Sequence, residues 1–137
     1  MSAEDMPRVL RPDGWPRPSG YSDGLSVSGR LIVLAGQIGW NPKSAEFESD
    51  QMTAQVRQAL ANIVTLLAEA GAEPRHLVRL TWFVTDREAY VSARREIGAA
   101  YREIIGAHYP PMSVVVVSGL VEARAKVEIE ATAVVRE

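Results

Sequence analysis

Two carboxylates sit two residues apart in Val127-Glu128-Ile129-Glu130-Ala131, inside an otherwise apolar run. On a strand that spacing sends both side chains to one face. If the face lines a cleft, one carboxylate can hold a water and move its proton. The bland alternative is a solvated face carrying two ordinary acids, the usual fate of Glu. Gly36 ends another apolar run, in Ala35-Gly36-Gln37-Ile38. A glycine there lets a ligand approach the backbone closely, or simply marks a bulge. Ser113 begins a third run, after Tyr109-Pro110-Pro111-Met112. A nucleophilic serine needs a base beside it, and no neighbour in sequence supplies one.

His76 and His108 are isolated and lack metal-ligand spacing, so both read as structural or surface residues. Arg94 and Arg95 fall on a helical stretch, where solvated pairs such as Arg94 with Glu88 are expected. Trp15, Trp40 and Trp82 either wall a pocket or pack a core, and Trp82 suits the core. No phosphate-binding glycine loop, HExxH motif or nucleophile elbow occurs.

The elements that position these residues follow from periodicity. Met52, Val56, Leu60, Ile63 and Leu67 form one helical stripe that stops near Gly71, with Ser49 or Asp50 as its cap. Val78, Leu80, Trp82 and Val84 alternate with Arg79, Thr81, Phe83 and Thr85 as a strand. Thr85-x-x-Glu88 reads as a capping box for a second helix, with Tyr90, Ile97, Tyr101, Ile104 and Ile105 on its apolar face and Gly106 at its end. Ser113–Val117 reads as a buried strand, and Val127, Ile129, Ala131 and Ala133 share one face of the last strand. Leu25–Val27 and Leu31–Ala35 flank Ser28-Gly29-Arg30 as a hairpin. Asn41-Pro42 marks a loop after Trp40. Residues 1–20, with Pro7, Pro12, Pro16 and Pro18, should be irregular.

The resulting order is ββαβαββ in a single domain spanning 1–137. Both helices cover one face of a shared mixed sheet, an α+β architecture. The other face keeps apolar residues, which predicts that another copy of the chain covers it. The chain has 137 residues, no cysteine and a net charge of −2. That size suits one domain. The missing cysteines exclude disulfides and thiolate chemistry. Arginines alternate with acids and form no basic block, so nucleic acid and anionic membranes are not expected partners. With no membrane span and no signal peptide in the sequence, a soluble cytoplasmic protein is expected.

Three motifs, with Gln55-Val56-Arg57-Gln58-Ala59-Leu60-x-Asn62 and Thr81-x-x-Val84-x-Asp86, carry a resemblance to the RidA (YjgF) family of small imine and enamine deaminases. The resemblance covers roughly Gly20 to Val135. It implies a chorismate-mutase-like α+β fold and a homotrimer with sites in the clefts between subunits. By position it implies Glu128 as the catalytic carboxylate and Tyr21, Gly36, Met112 and Ser113 as substrate-binding or pocket residues. The family usually reads Pro-Ala-Arg-Ser where this chain reads Pro110-Pro111-Met112-Ser113. The bidentate grip on a substrate carboxylate is replaced by a flexible apolar side chain. Arg94 lies near a family position close to the cleft and is the candidate replacement cation. The expected function is hydrolysis of a non-standard imine or enamine, with no cofactor and no metal, because water and proton transfer suffice. The alternatives are a non-catalytic small-ligand-binding trimer and, third, a ribonuclease.

Overall fold

The computed structural model describes residues 6–136. A four-stranded mixed sheet is built from β3 (Arg30–Ile38), β4 (Leu77–Val84), β5 (Met112–Val116) and β6 (Val127–Val135). Its spatial order is β3-β6-β4-β5. β6 runs antiparallel to both β3 and β4, and β5 runs parallel to β4. Two crossovers therefore bear the helices, α1 (Met52–Glu69) between β3 and β4, and α2 (Arg87–Ser92) with α3 (Arg94–Ile104) between β4 and β5.

The apolar stripe of α1 is the centre of the core. Val56, Leu60, Ile63 and Leu67 are fully buried, and Met52 nearly so. They meet Leu80, Trp82 and Val84 of β4 and Val127, Ile129, Ala131 and Ala133 of β6, the alternating positions that face inward. Ile97, Tyr101 and Ile105 bring the α3 side onto the same cluster. α1 stops where Gly71 adopts φ +72°, a backbone that glycine takes without strain.

Several expectations give way to local competition. Leu25–Val27 and Leu31–Ala35 do not pair as a hairpin. β2 (Gly24–Ser26) pairs instead with β1 (Arg8–Leu10), in a separate two-stranded sheet. Part of the segment expected to be irregular thus supplies a strand, because Arg8–Leu10 precede the first of the interrupting prolines in 12–18. The α1 cap is Gln51, which makes no side-chain cap bond, while Ser49 Oγ accepts from Gln51 N. Asp86, not Thr85, caps α2, its Oδ1 accepting from Ala89 N at 3.0 Å. The second helix is broken at Ala93 into α2 and α3. Ser113–Val117 is not buried in the single chain: β5 is an edge strand, and Val114, Val115 and Val116 are exposed.

The sheet face away from the helices carries Leu31 and Val33 of β3, 64% and 70% exposed. Phe83 and Val115 pair across β4 and β5 on that face, beside Glu128. It is an apolar surface of the kind that single soluble chains seldom leave uncovered.

Candidate functional site

The strand order decides which of the singled-out residues meet. β3 and β6 are neighbours, and Ile38 pairs with Glu128 across them. The ladder slips between Leu34 and Gln37, a bulge that displaces Gly36 from regular pairing. Glu128 uses the space. A Cβ built on Gly36 would lie 2.7 Å from Cδ of Glu128 and 2.9 Å from its Oε2. The half-buried carboxylate therefore rests on the bare glycine backbone.

Gly36 and Glu128 line a small cavity of about 300 Å³ with Ile38, Trp40, Leu120 and Glu122. Trp40 is fixed by the ring of Phe47 at 5.9 Å. Leu120 and Glu122 come from the loop between β5 and β6, which sequence reasoning does not single out. That loop has no periodicity, and only the fold shows where it lands. The buried side chain of Gln55 on α1 anchors it. Nε2 donates to Arg124 O and to Ser49 O, and Oε1 accepts from Lys126 N at 2.7 Å. Arg124 is held again by Asp50 at 3.0 Å.

Glu130 lies on the same face as Glu128, as the spacing requires, but it is exposed and opposite Thr81. Ser113 pairs with Thr81 one strand further on and is exposed. Among the described residues no hydrogen bond to the Ser113 side chain is formed. Among the described residues of one chain the geometry brings it no general base.

Tyr21, Met112 and Arg94 meet elsewhere. Ser22 bridges to Pro111, and Ser22 N donates to Pro110 O at 3.3 Å. Ser22 Oγ also donates to Tyr109 O. These bonds lay the 20–23 segment along the start of β5, so Tyr21 and Met112 share one cavity wall with Arg94 of α3. This cavity is much larger, about 1370 Å³. Tyr101 and Tyr109 stack in its wall at 5.4 Å, and Tyr101 Oη donates to His108 O at 2.6 Å. Burial, with Tyr109 adding to it, pushes the Tyr101 phenol well above its usual range. Burial also raises Tyr90, and nearby Arg94 partly opposes this. Arg94 does not pair with Glu88, which is engaged by Arg87 at 2.8 Å.

Within one chain the six candidates thus fall into separate places: Gly36 with Glu128 at one edge of the sheet, Tyr21 with Met112 and Arg94 at the other, and Ser113 on the open face. The two histidines are structural. His76 Nδ1 accepts from Glu73 N at 2.9 Å, and His108 Nε2 meets Leu77 O at 2.7 Å. Trp82 is core, 3% exposed, and Trp15 is exposed. Among the described residues no group of three or more His, Asp or Glu is arranged to hold a metal ion. No helix there is long and apolar enough to cross a membrane.

Residues 16–135 match the family model described as Endoribonuclease L-PSP. The 2-iminobutanoate/2-iminopropanoate deaminase of Escherichia coli (strain K12) is 33% identical over 136 residues, 99% of this chain and 97% of the relative. A RutC family protein of Pasteurella multocida is 32% identical over 94% of this chain and 98% of its own. Among solved structures, the Rid family protein YyfB of Yersinia pestis superposes with a TM-score of 0.82 at 33% identity, covering 94% of this chain and 98% of that one. The YjgF gene product of E. coli gives 0.69 at 32% identity, covering 94% and 99%. With a family model spanning nearly the whole chain and relatives this similar, the chain belongs to the RidA (YjgF) family, the Endoribonuclease L-PSP domain family.

Proposed function

We propose that this chain is a hydrolase of imines or enamines, with Glu128 as its acid–base group and its working site in a cleft between copies of the chain. The observation that carries the reading is the seating of Glu128 on Gly36. A half-buried carboxylate is held against a bare backbone, in a small cavity whose walls mix Gln37 and Glu122 with Ile38, Trp40 and Leu120. Similarity to a 2-iminobutanoate/2-iminopropanoate deaminase supports the reaction class.

The reaction needs water and one proton shuttle. Glu128 takes a proton from water as its oxygen bonds to the imine carbon, the C=N π pair moves to nitrogen, and Glu128 passes the proton on to that nitrogen. The carbinolamine then collapses. Its hydroxyl gives its proton to Glu128, the C=O bond forms as the C–N bond breaks, and ammonia departs with the proton that Glu128 returns. An enamine enters the same sequence after protonation at carbon.

The strand order supports a cleft between copies. Glu128 and Gly36 lie toward the β3 edge, while Tyr21, Met112 and Ser113 lie at the β5 edge. A ring of copies, three in the reading from resemblance, would bring the first edge of one chain to the second edge of the next. It would also cover Leu31, Val33 and Val115. Met112 stands where a carboxylate-gripping arginine is usual, so small 2-imino acids should be poor substrates.

The test is ammonia release from freshly generated imines, with and without a carboxylate, by the wild type and by Glu128→Gln. Hydrolysis that Glu128→Gln removes supports the reading. Wild-type protein inert toward every imine leaves a binding protein instead.

A further inference from the structure

We infer that the large cavity beside α3 binds an organic anion with a flat apolar body, a carboxylate or phosphate group being held by the arginines of α3. The inference rests on the hydrolase reading for its place in the reaction, since this cavity would hold the anionic part of the substrate. The binding itself stands on separate observations.

The first is charge. Arg94, Arg95 and Arg102 on α3 line the cavity together with Arg11 and Arg17, and Asp23 is the only acid among the described residues of the wall. Along the sequence these arginines are interleaved with acids; the fold gathers them. Among the described residues none of the three α3 arginines is in an ion pair, the acids near them being engaged elsewhere: Glu103 by Arg57 and Glu88 by Arg87. Guanidinium groups without carboxylate partners are suited to a bidentate anion.

The second is shape. Arg94, Gly98 and Arg102 recur at intervals of four, so they lie on one stripe of the helix. Gly98 leaves the floor between the two arginines open. Arg102 folds back over it, with one guanidinium nitrogen 3.7 Å from where a Cβ on Gly98 would be. A glycine inside a helix is less favourable than alanine there. Here the missing side chain creates room between two cations.

The third is aromatic surface, to which Trp82 contributes. Tyr90, Tyr101 and Tyr109 complete an aromatic wall suited to a flat body. A volume of about 1370 Å³ is far more than a three-carbon imino acid fills.

The test is calorimetric titration of the full-length protein with 2-naphthoate, 2-naphthyl phosphate, neutral 2-naphthalenemethanol, inorganic phosphate and a single-stranded RNA oligomer. One or both naphthyl anions should bind, which of them showing whether carboxylate or phosphate is preferred. The alcohol should bind at least tenfold more weakly, as should the anions to Arg94→Gln and Arg102→Gln. Gly98→Leu, which keeps every charge, should block binding while circular dichroism shows an intact fold. Equal affinity for the alcohol, undiminished affinity in both arginine variants, or no naphthyl anion bound would overturn the inference. RNA binding that displaces the anions through the same arginines would overturn it in favour of a nucleic-acid groove. Imine hydrolysis without naphthoate binding removes only the anion site; naphthoate binding without hydrolysis of any imine removes only the reaction.

Discussion

Glu128 Cδ lies 2.7 Å from the point a Cβ on Gly36 would occupy, so the carboxylate fills the place of the side chain that Gly36 lacks. The atoms in the way belong to the flexible end of Glu128. Gly36→Ala should therefore fold, with the carboxylate pushed aside and hydrolysis reduced at least tenfold. Gly39 offers the contrast. There an added Cβ would lie 2.5 Å from Cα of Gln55, a backbone atom of α1. Gly39→Ala should cost about 1–3 kcal/mol of stability through overpacking. Denaturant unfolding and activity, measured on both variants, separate the two effects.

Gln55 ties α1 to the loop that brings Leu120 and Glu122 beside Glu128. Gln55→Leu keeps approximate size but strands two carbonyls and one N–H. Leaving even one such group buried and unpaired costs about 1–3 kcal/mol. Denaturant unfolding should show a loss of at least about 2 kcal/mol. Proteolysis in the 118–126 loop should also accelerate.

The core stripes are legible in the order of residues alone. α1 and the inward faces of β4 and β6 follow from side-chain periodicity, because burial on one face leaves a repeat in the sequence. Glu128 and Gly36 are legible as candidates for the same reason: a carboxylate and a glycine interrupt apolar strands. Pairing is not legible. Leu25–Val27 and Leu31–Ala35 look like hairpin arms, yet β2 finds β1 beyond a run of prolines. The grouping of Arg94 and Arg102 with Arg11 and Arg17 depends on the same long-range packing. Ser113–Val117 reads as buried because β-branched runs usually are; in the single chain it is an exposed edge.

His76 is held at a pKa below its ordinary value, first by burial and then by the charge of Arg75. Its Nδ1 accepts from Glu73 N, which requires the unprotonated nitrogen. A histidine depressed in the folded state takes its proton at higher pH when unfolded. Its contribution to stability is complete above the unfolded value of 6.5 and declines as pH falls from there through the folded value. Thermal midpoints should drop between pH 7.5 and 5.5, and His76→Asn should flatten that slope. An unchanged slope in the variant would assign the pH dependence to other groups.

Leu31 and Val33 project from the sheet face that the helices leave open. If copies of the chain cover that face, Val33→Asp should weaken assembly, since an unpaired carboxylate in an apolar interface is costly. Light scattering after gel filtration should give about three chain masses for the wild type and a smaller mass for the variant. A wild-type monomer at micromolar concentration would remove the inter-chain cleft.

In the proposed reaction Glu128, and not its neighbour on the same face, moves the proton. Glu130 is exposed and opposite Thr81, while Glu128 is half-buried against Gly36. The direct measurement is imine hydrolysis by Glu128→Gln and Glu130→Gln at equal folded concentration. An amide keeps size and hydrogen bonding but exchanges no proton near neutral pH. Loss of general acid–base catalysis typically costs about 10²–10⁴-fold. Glu128→Gln should fall by that factor, with Glu130→Gln within a few-fold of wild type. Full activity in Glu128→Gln, or the larger loss in Glu130→Gln, would contradict the account.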